Sequence, residues 1–385
     1  GGLGLPSSVE AVSSEEEGSE AVDLFLLTAR RYDPRFGLDE AGAQAVFRIC
    51  HLVTGLPLAV ELAGALMRVI PPTDLARELE ADLDALVSVQ RDTPSQKAAL
   101  RLTFERSWKL LTDEQRAALA GCSLFCGGFT RDAAARVLGM DLRTLTGLMD
   151  RALLQRRGNR YDLHPLVRQY AAEKLDAEAA AGEWRSRHAE HFSEQLAAKR
   201  SSYQRAGERS AFEELDRESA NIRAAWEWAA AARRHDLLDE MAYMLYGYLA
   251  ARLRREELTH LLTIGLDSVE AGSLVAARLT TYLAKHSTPD QPAKAQALLE
   301  SALTIARHEE SDGDVGMILS ALGLALIYQR EFGAARRALS EAVPLLEHHD
   351  DGRSLGGCLS NLGFATKEYG TVLSLYDRAI TACRR

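Results

Sequence analysis

Apolar residues recur at helical spacing along most of the chain, and strand-like patterning is confined to one short stretch. Val22, Phe25, Leu26 and Ala29 share a face and predict a helix over Ser19–Arg31, broken by Tyr32-Asp33-Pro34-Arg35-Phe36-Gly37. Asp39 caps a second helix that turns Ala43, Val46, Phe47 and Cys50 inward. Pro57 opens a third, carrying Leu58, Leu62, Ala65 and Leu66 and stopping before Pro71-Pro72. Thr73 caps a fourth running to about Leu79, and Leu83-Asp84-Ala85-Leu86 begins the exit. Four short helices make a compact bundle.

Beyond the linker Arg91-Asp92-Thr93-Pro94-Ser95-Gln96, Leu100, Phe104, Trp108 and Leu111 predict a helix over Lys97–Leu111. Thr112-Asp113-Glu114-Gln115 is a capping box for the next, Glu114–Ala120. Gly127-Gly128-Phe129 reads as a turn. Thr130 caps a helix that Gly139 stops, and Asp141 caps another through Leu154. Gln155-Arg156 and Arg160-Tyr161-Asp162-Leu163 flank Arg157-Gly158-Asn159 as a hairpin, and Pro165 starts a closing helix, Leu166–Leu175. Helices followed by a short hairpin describe a winged helix.

From Ala177 onward there are no strand signals. Trp184, His188, Phe192 and Leu196 form a stripe over Glu183–Lys199, and Leu215, Ile222 and Trp226 another over Phe212–Ala231. A repeat of 40 residues then aligns Ala295, Ala302 and Leu303 with Ala335, Ala342 and Val343, and Leu322-Gly323 with Leu362-Gly363. This resembles the tetratricopeptide repeat in a longer form. Its last unit is three residues short, and Leu237–Arg278 fits only loosely. Stacked repeats build a concave binding face; Tyr243, Tyr246, Tyr248 and Arg252 are candidates to line it, or else belong to the core. The fold class is therefore mainly α: residues 1–18 as linker, 19–90 as a helical bundle, 91–176 as a winged helix and 177–385 as an α-solenoid.

Composition narrows the function. The 385 residues are 46% hydrophobic and 26% charged, with a net charge of −9, which argues against nucleic acid as the main partner. Five scattered cysteines give no disulfide framework or zinc spacing, so buried thiols in a reducing cytoplasm are expected. The longest apolar run, Leu58 to Ile70, is broken by Glu61 and Arg68, so no membrane span is expected.

Gly55-Leu56-Pro57-Leu58-Ala59 resembles the GLPLA motif of the STAND ATPases, which share the NB-ARC type of nucleotide-binding module, and Ala21–Arg30 resembles the helix that precedes it there. Gly127-Gly128-Phe129-Thr130 with Ala133-Ala134 and Val137-Leu138 is similar to a stretch of that family's winged helix. Leu163-His164-Pro165-Leu166-Val167-Arg168-Gln169-Tyr170-Ala171 resembles its MHD-like segment, with proline in place of the usual acid after the histidine. Glu218–Trp228 resembles the helix that opens its repeat arrays.

The resemblance implies that residues 19–90 are the helical lid of an ADP/ATP switch, with Gly55, Leu56, Pro57 and His164 forming part of the nucleotide site. By local physics alone, Pro57 starts a core helix and His164 is a helix N-cap. No G-x-x-x-x-G-K-[ST] sequence occurs in the chain, nor any Gly-Lys dipeptide, so the phosphate-gripping loop is missing and no independent catalysis is expected. Tight ADP or ATP binding is expected only with an ATPase core. The implied role is the sensor half of a transcriptional regulator. A protein, peptide or small-molecule inducer would bind the repeats, with homo-oligomerisation on activation.

The alternative is direct DNA binding through the winged helix, with Arg143, Arg151, Arg156 and Arg157 as contacts and Asp141, Asp150 and Asp162 interrupting them. Three further strings carry less. Gly352-Arg353-Ser354-Leu355-Gly356 matches a nucleophile elbow but lies between helices, where an inter-repeat loop is expected. His348-His349-Asp350-Asp351 has no distant partner for a metal, and His188 and His191 lack the H-E-x-x-H spacing.

Overall fold

The computed structural model describes residues 3–6, 12, 19–53, 55–89, 101, 104–204, 208–349, 352–366 and 369–384. Thr54 and the linker 91–96 lie outside the described residues, as does most of the segment 1–18. The chain is mainly α and divides into two units, Gly1–Trp184 and Arg185–Arg385.

The first unit opens with α1 (Glu20–Tyr32), α2 (Glu40–Leu52), α3 (Pro57–Leu66) and α4 (Pro72–Val89). Ser19 and Asp39 cap α1 and α2 by accepting from Val22 N and Gly42 N. Helix α1 packs on α3 and α2 on α4. Gly64 permits the first of these crossings, since a Cβ there would stand 2.9 Å from the Phe25 carbonyl oxygen. Phe25, Ile49, Leu62 and Leu75 form a core sealed from water. Helix α4 differs from expectation at both ends. It starts at Pro72 rather than after Thr73, with Asp74 and Leu75 donating to Pro71 O, and it continues helical through 83–86 to Val89.

Residues 104–109 are helical. Then come α5 (Asp113–Cys122), β1 (Phe129–Thr130), α6 (Arg131–Leu138), α7 (Leu142–Met149), β2 (Gln155–Arg157), β3 (Arg160–Asp162) and α8 (Pro165–Leu175). The Thr112–Gln115 capping box, the Thr130 and Asp141 caps, and Gly139 at φ +67 all form as read from sequence. Helix α7 stops five residues before Leu154, because Ala152 takes φ +54 and Leu153 N closes back on Leu148 O at 3.1 Å. The hairpin β2–β3 gains a third strand: β1 pairs with β3, setting Phe129 opposite Tyr161. Gly128 makes this possible, since it holds φ +71 and a Cβ there would lie 2.8 Å from Tyr161 O. Phe125 and Phe129, 4.7 Å apart, anchor the sheet in the core.

Among its described residues the second unit consists of helices joined by turns, with no strand. The boundary falls inside α9 (Ala181–Ala197), and α10 (Arg200–Gln204) and α11 (Glu208–Ala231) follow. Four helix pairs come next: α12 (His235–Ala251) with α13 (Arg255–Ser268), α14 (Leu274–Ser287) with α15 (Pro292–His308), α16 (Asp312–Tyr328) with α17 (Phe332–His348), and α18 (Gly352–Ala365) with α19 (Tyr369–Arg384). The period thus extends back over the loosely fitting stretch, with first helices starting at 235, 274, 312 and 352. Ala295, Ala302, Ala335 and Ala342 sit at helix contacts with no side chain to hold the partner away, and all are buried. Gly352 to Gly356 form the first residues of α18 rather than a loop, and among the described residues no strand leads into Ser354 as an elbow requires.

Of the cysteines whose side chains are described, Cys50, Cys122 and Cys358 are buried and Cys126 is exposed, all as free thiols. Burial pushes the Cys50 thiol up to about 12 and Cys358 to about 11, which suits inert packing. Among the described residues no helix is long and apolar enough to cross a membrane, and no cluster of His, Cys, Asp or Glu could hold a metal ion.

Candidate functional site

Gly55 turns the chain from α2 into α3. It holds φ +63, donates to Cys50 O at 3.1 Å and accepts from Leu3 N at 2.8 Å. A Cβ there would meet Leu3 O at 2.6 Å, so glycine is required by both conformation and space. Leu56 follows in extended backbone and Pro57 occupies the first turn of α3, exposed, with no side chain capping that end. A helix end of this kind carries partial positive charge. Residues 3–6 are pinned beside it: Gly4 N donates to Glu20 Oε2 at 3.0 Å, Ala21 N donates to Gly4 O at 3.2 Å, and His51 Nε2 lies 3.0 Å from Pro6 O.

His164 is the N-cap of α8. Its Nδ1 accepts from Leu166 N at 3.3 Å, which in the neutral ring puts the proton on Nε2. The segment before it is clamped by Arg168, whose guanidinium donates to Asp162 Oδ1 and Phe125 O, while Asp162 Oδ1 also accepts from Leu163 N at 2.9 Å. Arg168 and Asp162 are the residues that sequence reasoning missed. Their only signal was opposite charge six positions apart, and Asp162 reads from sequence as an interruption of a basic patch. No hydrogen bond or ring contact joins His164 to Gly55, Leu56 or Pro57 among the described residues.

A cleft of about 380 Å³ lies between helices α1 and α3 and the hairpin, lined among others by Arg31, Tyr32, Glu61, Leu154, Arg156 and Arg157. Tyr32 closes its floor by donating to Met149 O at 3.1 Å, and burial raises its phenol above the ordinary value. Neither Gly55–Pro57 nor His164 lines this cleft. The four arginines read as DNA contacts separate here. Arg143 is exposed on α7. Arg151, in the turn after α7, donates back to Gly147 O at 3.0 Å. Arg156 and Arg157 border the cleft, with Arg156 Nε donating to Gly158 O at 2.7 Å.

On the repeats, Tyr243 and Tyr246 line a cavity of about 310 Å³. Tyr248 and Arg252 do not. The Tyr248 hydroxyl donates to Asp216 Oδ1 at 2.8 Å and Arg252 pairs with Asp216 Oδ2 at 2.6 Å, tying α12 to α11. Hydrogen bonds from both partners hold the Asp216 carboxyl below the usual range against its burial.

The chain matches no protein-family model. It is 28% identical, over 89% of its own length, to proteins of Mycobacterium bovis and Mycobacterium tuberculosis named "Putative HTH-type transcriptional regulator". It is 30% identical over 45% of its length to an "Uncharacterized protein" of Mycobacterium tuberculosis. Among solved structures, a STAND protein with a tetratricopeptide repeat sensor from Pyrococcus horikoshii covers 94% of the chain at 15% identity with a TM-score of 0.34, over 58% of its own length. The chain spans 42% of the length of the curated regulators it matches.

Proposed function

We propose that this chain is the lid, winged-helix and repeat-sensor portion of a STAND-type transcriptional regulator, acting in the cytoplasm as the latch of an ADP/ATP switch. The observation that carries the reading is the Gly55 turn, which leaves Pro57 exposed at an uncapped helix start. The names of the mycobacterial relatives support the regulatory role. In this reading Leu56 and Pro57 pack against the nucleotide base and His164 donates from Nε2 toward a phosphate. Gly55, Leu56 and Pro57 would form one wall of such a site and His164 a second. The phosphate grip would come from an ATPase core, since the P-loop sequence is not among these residues. The nucleotide would supply the two states, and a ligand on the repeats would bias them by binding one better than the other.

Titration of fluorescently labelled ADP into the chain alone tests the half-site. Binding is expected to be weaker than about 10 μM; a Kd below about 1 μM, abolished by His164→Ala, overturns the reading that a separate core is required. Direct DNA reading is the second proposal, favoured by the exposure of Arg143 at the start of α7. It predicts salt-dependent duplex binding that is lost when Arg143 and Arg157 are replaced by alanine.

A further inference from the structure

The cavity on the repeats has a built wall. Four tyrosines line it, contributed by three different helices. Tyr246 and Tyr282 stack at 5.0 Å with 23° between their planes, and Tyr203 meets Tyr243 edge-on at 5.9 Å. Tyr203 can seat there because residue 247 is glycine: a Cβ would stand 2.6 Å from the tyrosine ring. Burial pushes the Tyr246 phenol up to about 12 and raises Tyr282 as well, so their hydroxyls stay protonated and neutral.

Two cations border the same space. The Arg353 guanidinium lies 4.0 Å from the centroid of the Tyr203 ring, and Lys285 Nζ lies 5.2 Å from that of Tyr246. Positive charge beside aromatic faces in a partly enclosed space favours a ligand with a flat ring and an anionic group. At about 310 Å³ the cavity is at the small end of ligand sites, which favours a small molecule over a peptide.

We infer that this cavity binds a small planar aromatic acid, the ring against the tyrosine wall and the anionic group toward Lys285 and Arg353. The inference deepens the sensor reading of the repeats and rests on it, but it is measured without nucleotide, so its failure is separate from failure of the ADP half-site.

The test is calorimetric titration of the full chain with 1-naphthoate, with 1-naphthamide and cyclohexanecarboxylate as comparison probes. Saturable one-to-one binding of naphthoate is expected, at least tenfold tighter than either comparison probe. Arg353→Gln and Lys285→Gln should each weaken it fivefold or more. Gly357 lines the cavity and a Cβ there meets nothing within 4 Å, so Gly357→Leu should fill the space and abolish binding while its thermal transition is retained. Absence of saturable binding, equal affinity for acid and amide, or undiminished binding in Gly357→Leu would each overturn the inference.

Discussion

Arg278 grips both oxygens of Asp314: its Nε donates to Oδ1 at 2.9 Å and a terminal nitrogen donates to Oδ2 at 2.8 Å, while the other terminal nitrogen reaches Asp239 Oδ2 at 2.5 Å. The three residues belong to α12, α14 and α16, the first helices of three successive repeats. One guanidinium therefore bridges two repeat-to-repeat contacts. Asp314 is buried, so a change that removes its partner leaves a carboxylate out of water. Arg278→Met is expected to destabilise the chain by about 3 kcal/mol in urea unfolding. Replacing Arg278 and Asp314 together by apolar residues should recover much of that loss; a double variant as unstable as the single one would show that the pair is not the cause.

Turns between the repeat helices carry residues other than glycine in the left-handed region: Arg233, Leu253, Glu310 and Arg330, with φ between +51 and +64. After Leu253, Arg254 N closes back on Leu249 O at 3.0 Å, a helix-ending bond that glycine would accept without strain. Leu253 is 81% exposed, so little packing is lost on its removal. Leu253→Gly is expected to stabilise by roughly 0.5–1 kcal/mol, read as a raised midpoint in thermal unfolding. A lowered midpoint would mean that this side chain packs usefully.

His188 is buried on α9 beside the Phe192 ring at 4.7 Å. Burial, with a smaller push from His191, lowers its pKa to about 3, against about 6.5 in an unfolded chain. The neutral ring is the folded form, and the unfolded chain binds the extra proton. The contribution to stability is therefore fully present above pH 6.5 and is lost as pH falls toward 3. Unfolding free energy should drop by up to about 1.4 kcal/mol per pH unit across that window. In His188→Leu the slope should be shallower; an unchanged slope would assign the acid sensitivity to other groups.

Gly55→Ala places a methyl at φ +63 and within 2.6 Å of the Leu3 carbonyl oxygen. It is expected to cost about 1–3 kcal/mol and to release residues 3–6, seen as faster amide exchange at Leu3. His164→Ala removes only a cap and should cost about 1 kcal/mol. If Gly55→Ala left both stability and Leu3 exchange unchanged, the turn would not be under the constraint described.

Local chemistry made much of this protein legible in the sequence. A cap acts across one helical turn, so Asp39, Thr112, Thr130 and Asp141 announce helix starts by themselves. A repeat must bury the same small residues at each period, so Ala295 and Ala335 reveal the 40-residue spacing. Other features depended on partners far along the chain. Phe129 became a strand because Tyr161 lies across from it, and Gly128 lets the two backbones approach. Tyr246 and Tyr248 are two positions apart on one helix and so face different neighbours; which one meets the cavity and which meets Asp216 was decided by the packing of α11 and α14 around α12. Arg353 comes to Tyr203 across 150 residues, a contact fixed by how the stacked repeats turn rather than by any local pattern. The sequence by itself determined where helices begin and how they repeat, because those terms act over a few residues; the tertiary structure alone decided which side chains share a site, because that follows from the summed geometry of many helix contacts.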